Sequence, residues 1–124
     1  MFPGLCKGLV MSTVIENWYL VEIYDCKIID ENATHLMNIV WGIVVTDSKN
    51  RFKAGDFVCT SRIVELRDEN CMITKSGTEY VGNGVGKVSR LNVEDLQKLR
   101  QGFSPDEIVL AKSLGGELTD YTHC

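Results

Sequence analysis

The chain has 124 residues, 44% of them hydrophobic and 24% charged, with a formal net charge of −4. That length suits one domain with a core of its own, needing no metal or disulfide scaffold, and the composition excludes collagen-like, coiled-coil and disordered chains. The acidic balance argues against a surface broadly committed to nucleic acid, and no apolar run approaches the roughly 20 residues that span a bilayer.

The start, MFPGLCKGLVM, lacks the basic opening, continuous apolar stretch and small-residue cleavage site of a signal peptide. Met11 offers an alternative start, so residues 1–16 read as a tail or short extension ahead of a single domain over residues 17–114. Five cysteines, Cys6, Cys26, Cys59, Cys71 and Cys124, form no CxxC pair, which suggests neither a disulfide framework nor a zinc knuckle. Cys26, Cys59 and Cys71 fall in apolar runs, where a free thiol behaves as a small buried hydrophobe. A reducing cytoplasm is the expected compartment.

The run from Asn17 to Asp30 is rich in aromatic and β-branched residues and reads as a long strand. Neither alternating face is cleanly polar, so a bend or bulge is expected in it. Asp30, Glu31 and Asn32 make a turn. Ile39 to Thr46 is almost wholly apolar and reads as a central strand covered on both sides, with Gly42 marking a bulge or a close backbone approach. After the turn at residues 47–50 a third strand is expected from Phe57 to Leu66. The hairpin from Cys71 to Val81 turns at Ser76-Gly77. Residues 82–89 read as a flexible connection from strand to helix.

Two helices close the domain. Asn92 caps the first with Asp95 three residues on, and Gly102 stops it. Ser104 caps the second, Pro105 takes its first position and Glu107 completes a capping box. Residues 115–124 read as a frayed tail. Strands first and helices last make an α+β fold. The expected form is an antiparallel β-meander, closed as an SH3-like barrel or left as an open curved sheet, followed by two short C-terminal helices.

The glycine-rich stretch Gly82, Asn83, Gly84, Val85, Gly86, Lys87 fits neither the Walker spacing nor the dinucleotide pattern. It retains one chemical option, an anion nest of backbone N–H groups with Lys87. Residues 47–100 carry ten basic and eight acidic side chains, whereas residues 1–46 carry two and five. Lys49, Arg51 and Lys53 alternate beside Phe52 and would share one face of an extended loop, with Arg62 extending the stripe. Glu22, Asp25, Asp30 and Glu31 gather acidity in the first third and could meet a basic partner. Acid–base material is sparse: His35 sits in a turn-like region, and His123 adjoins Cys124 in the tail without rigid support. No metal-ligand spacing occurs.

The segment from Val44 to Val81 carries Asp47, Ser48, Arg51, Phe52, Gly55, Asp56, Phe57, Val58 and Thr60, with Tyr80 and Val81 further on. It resembles small uncharacterised proteobacterial and prophage proteins with a D-S-x-x-R-F-x-x-G-[DN]-[FW]-V-x-[ST] core. That resemblance implies no activity, but it points toward a mobile-element accessory protein. The turn at Gly55, Asp56 and Phe57 also resembles those of small SH3-like barrels, a likeness of fold alone.

Together these features lead to the expectation of a non-catalytic binding protein. It would mask a larger bacterial protein, as an inhibitor of host defence of the anti-CRISPR kind or a toxin-immunity protein does. Its partner-binding candidates are Glu22, Asp25, Asp30, Glu31, Lys49, Arg51, Lys53 and Arg62. The alternative is a phosphate- or nucleotide-binding protein using Gly82, Asn83, Gly84, Gly86 and Lys87. No cofactor, metal, membrane or nucleic-acid partner is expected, and a homodimer remains open.

Overall fold

A computed structural model describes residues 12–68 and 70–114. Seven strands precede two helices: β1 (Ser12–Tyr24), β2 (His35–Asp47), β3 (Phe57–Cys59), β4 (Ile63–Asp68), β5 (Cys71–Thr74), β6 (Glu79–Gly82), β7 (Lys87–Asn92), α1 (Asp95–Arg100) and α2 (Pro105–Ser113). The fold is α+β, as the element order in the sequence implies. The sheet runs β3-β2-β1-β6-β5-β4, with β7 also paired to β1.

β1 organises the sheet. It pairs antiparallel with β2 along one edge, while its other edge takes β6 at residues 12–15 and β7 at residues 19–24, both parallel. The sheet is thus mostly antiparallel, with parallel pairs where β6 and β7 meet β1. β6 and β7 lie end to end on one side of β1, so β1 must pass the turn that joins them. It does so through a register break between Glu16 and Tyr19, with Asn17 in the left-handed region at φ 49°, which Asn tolerates better than most residues. The backbone N–H of Asn83 closes the junction on the carbonyl of Ile15 at 2.7 Å.

Burial on both faces explains why β1 and β2 lack a polar face. On one side Tyr19, Val21, Ile23, Ile39 and Trp41 pack against Leu91, Leu96, Leu99 and Ile108. On the other, Ile15, Trp18, Val40, Val44, Val58, Met72 and Tyr80 form a second cluster.

The strand expected from Phe57 to Leu66 is two strands. Thr60 Oγ1 accepts from the N–H of Val40 and donates to the carbonyl of Ser61, a local side-chain bond that competes with the ladder. Beyond it the chain leaves β2, and the N–H of Lys75 donates to the carbonyl of Arg62 as β4 takes up β5. The sheet therefore stays open, with β3 and β4 at the ends of its path, rather than closing as an SH3-like barrel.

The signals of α2 act as the sequence implies, whereas α1 begins at Asp95 with Glu94 in the cap position, so Asn92 ends β7 and braces the turn before the helix instead of capping it. Asn92 Oδ1 accepts from the N–H groups of Glu94 and Asp95, and Asp95 Oδ2 accepts from the N–H of Asn92. The Ser104–Glu107 box is reciprocal, with Pro105 at the first helical position. β7 occupies residues read from sequence as connection. Among the strand cysteines Cys59 is a free thiol, whereas Cys26 and Cys71 are disulfide-bonded, which corrects the reading of all three as thiols.

Candidate functional site

The Asp47–Thr60 motif is built into the fold. The Asp47 carboxylate is buried and accepts from the Thr13 hydroxyl at 2.7 Å, the Arg51 backbone N–H at 2.6 Å and the Arg51 guanidinium at 3.1 Å. Burial alone would push this carboxyl up. The hydrogen bonds from Arg51 and Thr13 outweigh it and hold the group well below the usual carboxylate range. The same guanidinium reaches the hydroxyls of Thr13 and Thr78 and lies 5.0 Å over the ring of Phe52. Asp56 Oδ2 accepts from the N–H of Lys53, while Val44 exchanges backbone hydrogen bonds with Gly55 and Asp56. The motif thus ties β1, β2 and the hairpin turn before β6 into one corner. Arg51 is spent on this and does not share a free face with Lys49 and Lys53, which stay exposed on the 48–56 loop. Arg62 lies elsewhere, on the link from β3 to β4.

The glycine loop holds an indole. Trp18, displaced at the β1 break, lays its ring across the loop, and its Nε1–H donates to the carbonyl of Gly84 at 3.2 Å. A Cβ at Gly82 would come within 2.2 Å of that ring and one at Gly86 within 2.6 Å. Close approach to Trp18 therefore accounts for glycine at both positions. Lys87 Nζ binds Asp106 at 3.3 Å and lies 5.8 Å over the Tyr19 ring. Tyr19 also donates its hydroxyl to Asp106 at 2.9 Å. Burial and this acceptor push the Tyr19 phenol up to about 12. The Asp106 carboxyl is lowered by the bond from Tyr19 and by Lys87.

The acidic candidates are not brought into one patch by hydrogen bonding to one another. Glu22 pairs with Arg90 at 3.0 Å and accepts from the Tyr24 hydroxyl. Asp25 accepts from the N–H of Thr34, and Asp30 from that of Asn32, so both shape the loop that joins β1 to β2. Glu31 is exposed on that loop. His35 contacts Asn38 at 2.6 Å and packs on Tyr24, with the two ring centroids 5.3 Å apart. His123 and Cys124 lie outside the described residues. Burial pushes the Cys59 thiol up to about 11, which keeps it protonated. Among the described residues no group of three or more metal-ligating side chains could hold a metal ion, and no helix is long and apolar enough to cross a membrane.

What the residues leave open is a concave surface under β4. A groove of about 340 Å³ runs between β4 and the start of β7, with Trp18 and Leu20 in its floor and Leu66, Val85 and Val88 around it. Val85 is 96% exposed, Val88 63% and Leu66 55%, which makes an uncovered apolar rim. Asp68 and Lys87 supply the charges beside it. A second pocket of about 390 Å³ lies on the other side of Leu66, between the first residues of β2 and β4, and Arg62 lines it. Sequence reasoning missed this groove: the exposed Leu66, Val85 and Val88, and the partly buried Leu20 and buried Trp18 that line it. Their one sequence signal is Val85 among glycines, an apolar residue where a loop offers no core to bury it.

No curated protein and no solved structure matches the chain. A family described as "Domain of unknown function (DUF6957)" matches residues 6–98, a span that takes in every strand and the start of α1. The corner built on Asp47 and the Trp18 cradle both fall within that span, and the chain belongs to this family.

Proposed function

We propose that this chain is a non-catalytic protein-binding module that acts by masking a surface of a larger bacterial protein. Inhibition of host defence or immunity to a toxin are the settings in which such a module serves. The observation that supports this reading is the groove under β4, whose rim exposes Leu66, Val85 and Val88 while the neighbouring polar groups are paired. Apolar side chains held out in this way are the material from which the buried centre of an interface is made. The phosphate- or nucleotide-binding alternative has less behind it, because Trp18 occupies the glycine loop and Lys87 is paired with Asp106.

The test is affinity capture from nuclease-treated bacterial lysate with the full chain and with Val85→Asp. A stoichiometric protein retained by the first and lost by the second supports the reading, with circular dichroism confirming that the variant folds. An empty lane, or equal retention by both, contradicts it. Inorganic phosphate and a nucleotide panel should leave Tm unchanged, since a ligand selective for the folded state raises it. A rise that Lys87→Ala abolishes would move the reading to the alternative.

A further inference from the structure

Two strand edges face one another across the pocket between β2 and β4. β3 pairs with β2 in the register Trp41↔Cys59, Gly42↔Val58, Ile43↔Phe57, and the N–H of Thr60 extends it to the carbonyl of Val40. Continued, that register would set Arg62 opposite Asn38 and Val64 opposite Leu36. The chain departs instead, because Thr60 bonds locally and β4 joins β5. Val40 directs both its backbone groups at Thr60, so the two-residue period of a strand aims those of Asn38 into the same opening, up to the register break at Leu36. β4 is paired on its β5 side only among the described residues.

The charges in the opening are unequal. Glu65 is held by Arg67 at 3.1 Å, and nearby Glu22 by Arg90 at 3.0 Å. Arg62 has no ion pair among the described residues and stands at the pocket wall with His35. Leu36, Ile63, Val64 and Leu66 supply the apolar lining. An unpaired edge on each side, apolar lining and an uncompensated guanidinium are the complement of one kind of occupant.

We propose that the opening between β2 and β4 accepts an extended segment of a protein partner as an added strand, with alternate apolar side chains and a carboxylate that meets Arg62. This rests on the protein-binding reading above and specifies its mode. Main-chain hydrogen bonds to the edges of β2 and β4 hold the segment, and the pocket selects its side chains.

The experiment pans a phage-displayed library of random dodecapeptides against the immobilised full chain, then follows the enriched peptides in solution by amide hydrogen exchange. The expected peptides alternate apolar residues with Asp or Glu. They protect the amide of Asn38 and those amides between Ile63 and Leu66 that face away from β5, and they bind at least tenfold more weakly to Arg62→Glu. N-methylation of alternate peptide nitrogens should weaken binding similarly, a readout independent of how the variant folds. Absence of enrichment, protection of other amides, or indifference to N-methylation overturns the proposal. Protection of these amides that grows with protein concentration alone assigns the opening to a second copy and also overturns it. A chain that captures its partner through Val85 while these amides stay unprotected overturns strand addition and leaves the protein-binding reading standing.

Discussion

Asp47 sits where a carboxylate costs most and is held best. It is 8% exposed and accepts from Thr13 and from both the backbone and side chain of Arg51. Asp47→Asn removes the charge that Arg51 answers and should destabilise the protein by about 2 kcal/mol in urea unfolding, the guanidinium being part-exposed. The sign of the pH effect follows from the lowered carboxyl. Its stabilisation is complete above the unfolded value of about 4 and is lost as pH falls through the lower folded value, so wild type should lose stability below about pH 4. In Asp47→Asn that acid limb should be shallower, and an unchanged limb would assign it to other carboxylates. At Gly86 the constraint is steric. Gly86→Ala drives a methyl into the Trp18 ring and should cost about 1–3 kcal/mol by urea unfolding. Combined with Trp18→Leu it should cost less than the sum of the two changes, because the methyl then meets no indole.

Elements whose signals are local were legible in the sequence, and those fixed by distant contacts were not. The α2 box, the Ser76-Gly77 hairpin and the turn at residues 30–33 depend on neighbouring residues alone. β7 was not legible, because Lys87–Asn92 has only a weak apolar alternation and is drawn out by parallel pairing to a strand more than 60 residues earlier. The strand expected from Phe57 to Leu66 was legible in content but not in its division, which a single hydroxyl at Thr60 decides. The candidate site was less legible still. Arg51 looked like part of a basic stripe because spacing shows which residues share a face, not that a buried carboxylate will claim one of them. α2 turns only one of its three adjacent aliphatic residues inward: Ile108 is buried, while Val109 and Leu110 are 47% and 57% exposed. Ile108→Ala should therefore cost about 2–4 kcal/mol in urea unfolding and Leu110→Ala almost nothing. Equal costs would place α2 differently against the sheet.

At the scale of the whole molecule, the buried corner and the uncovered surface divide the work. Asp47, Arg51, Phe52 and Asp56 close a corner of the sheet, and Trp18, in the cluster against which Phe52 packs, fills the glycine loop. What remains accessible is the concave surface under β4, with an apolar rim at Leu66, Val85 and Val88. The exposed Lys49 and Lys53 lie on a loop that the corner positions and are not among the residues that line the groove. Rim charges at such a loop affect the rate of encounter and its salt dependence more than the lifetime of a complex.

The most direct measurement is the dissociation constant of the captured partner for three forms of the full chain, each checked by circular dichroism: unaltered, Val85→Asp with Val88→Asp, and Lys49→Glu with Lys53→Glu. The groove account predicts a loss of at least tenfold in the valine pair and less than threefold in the lysine pair. A tenfold loss in the lysine pair with the valine pair unchanged would contradict it and place the partner on the 48–56 loop.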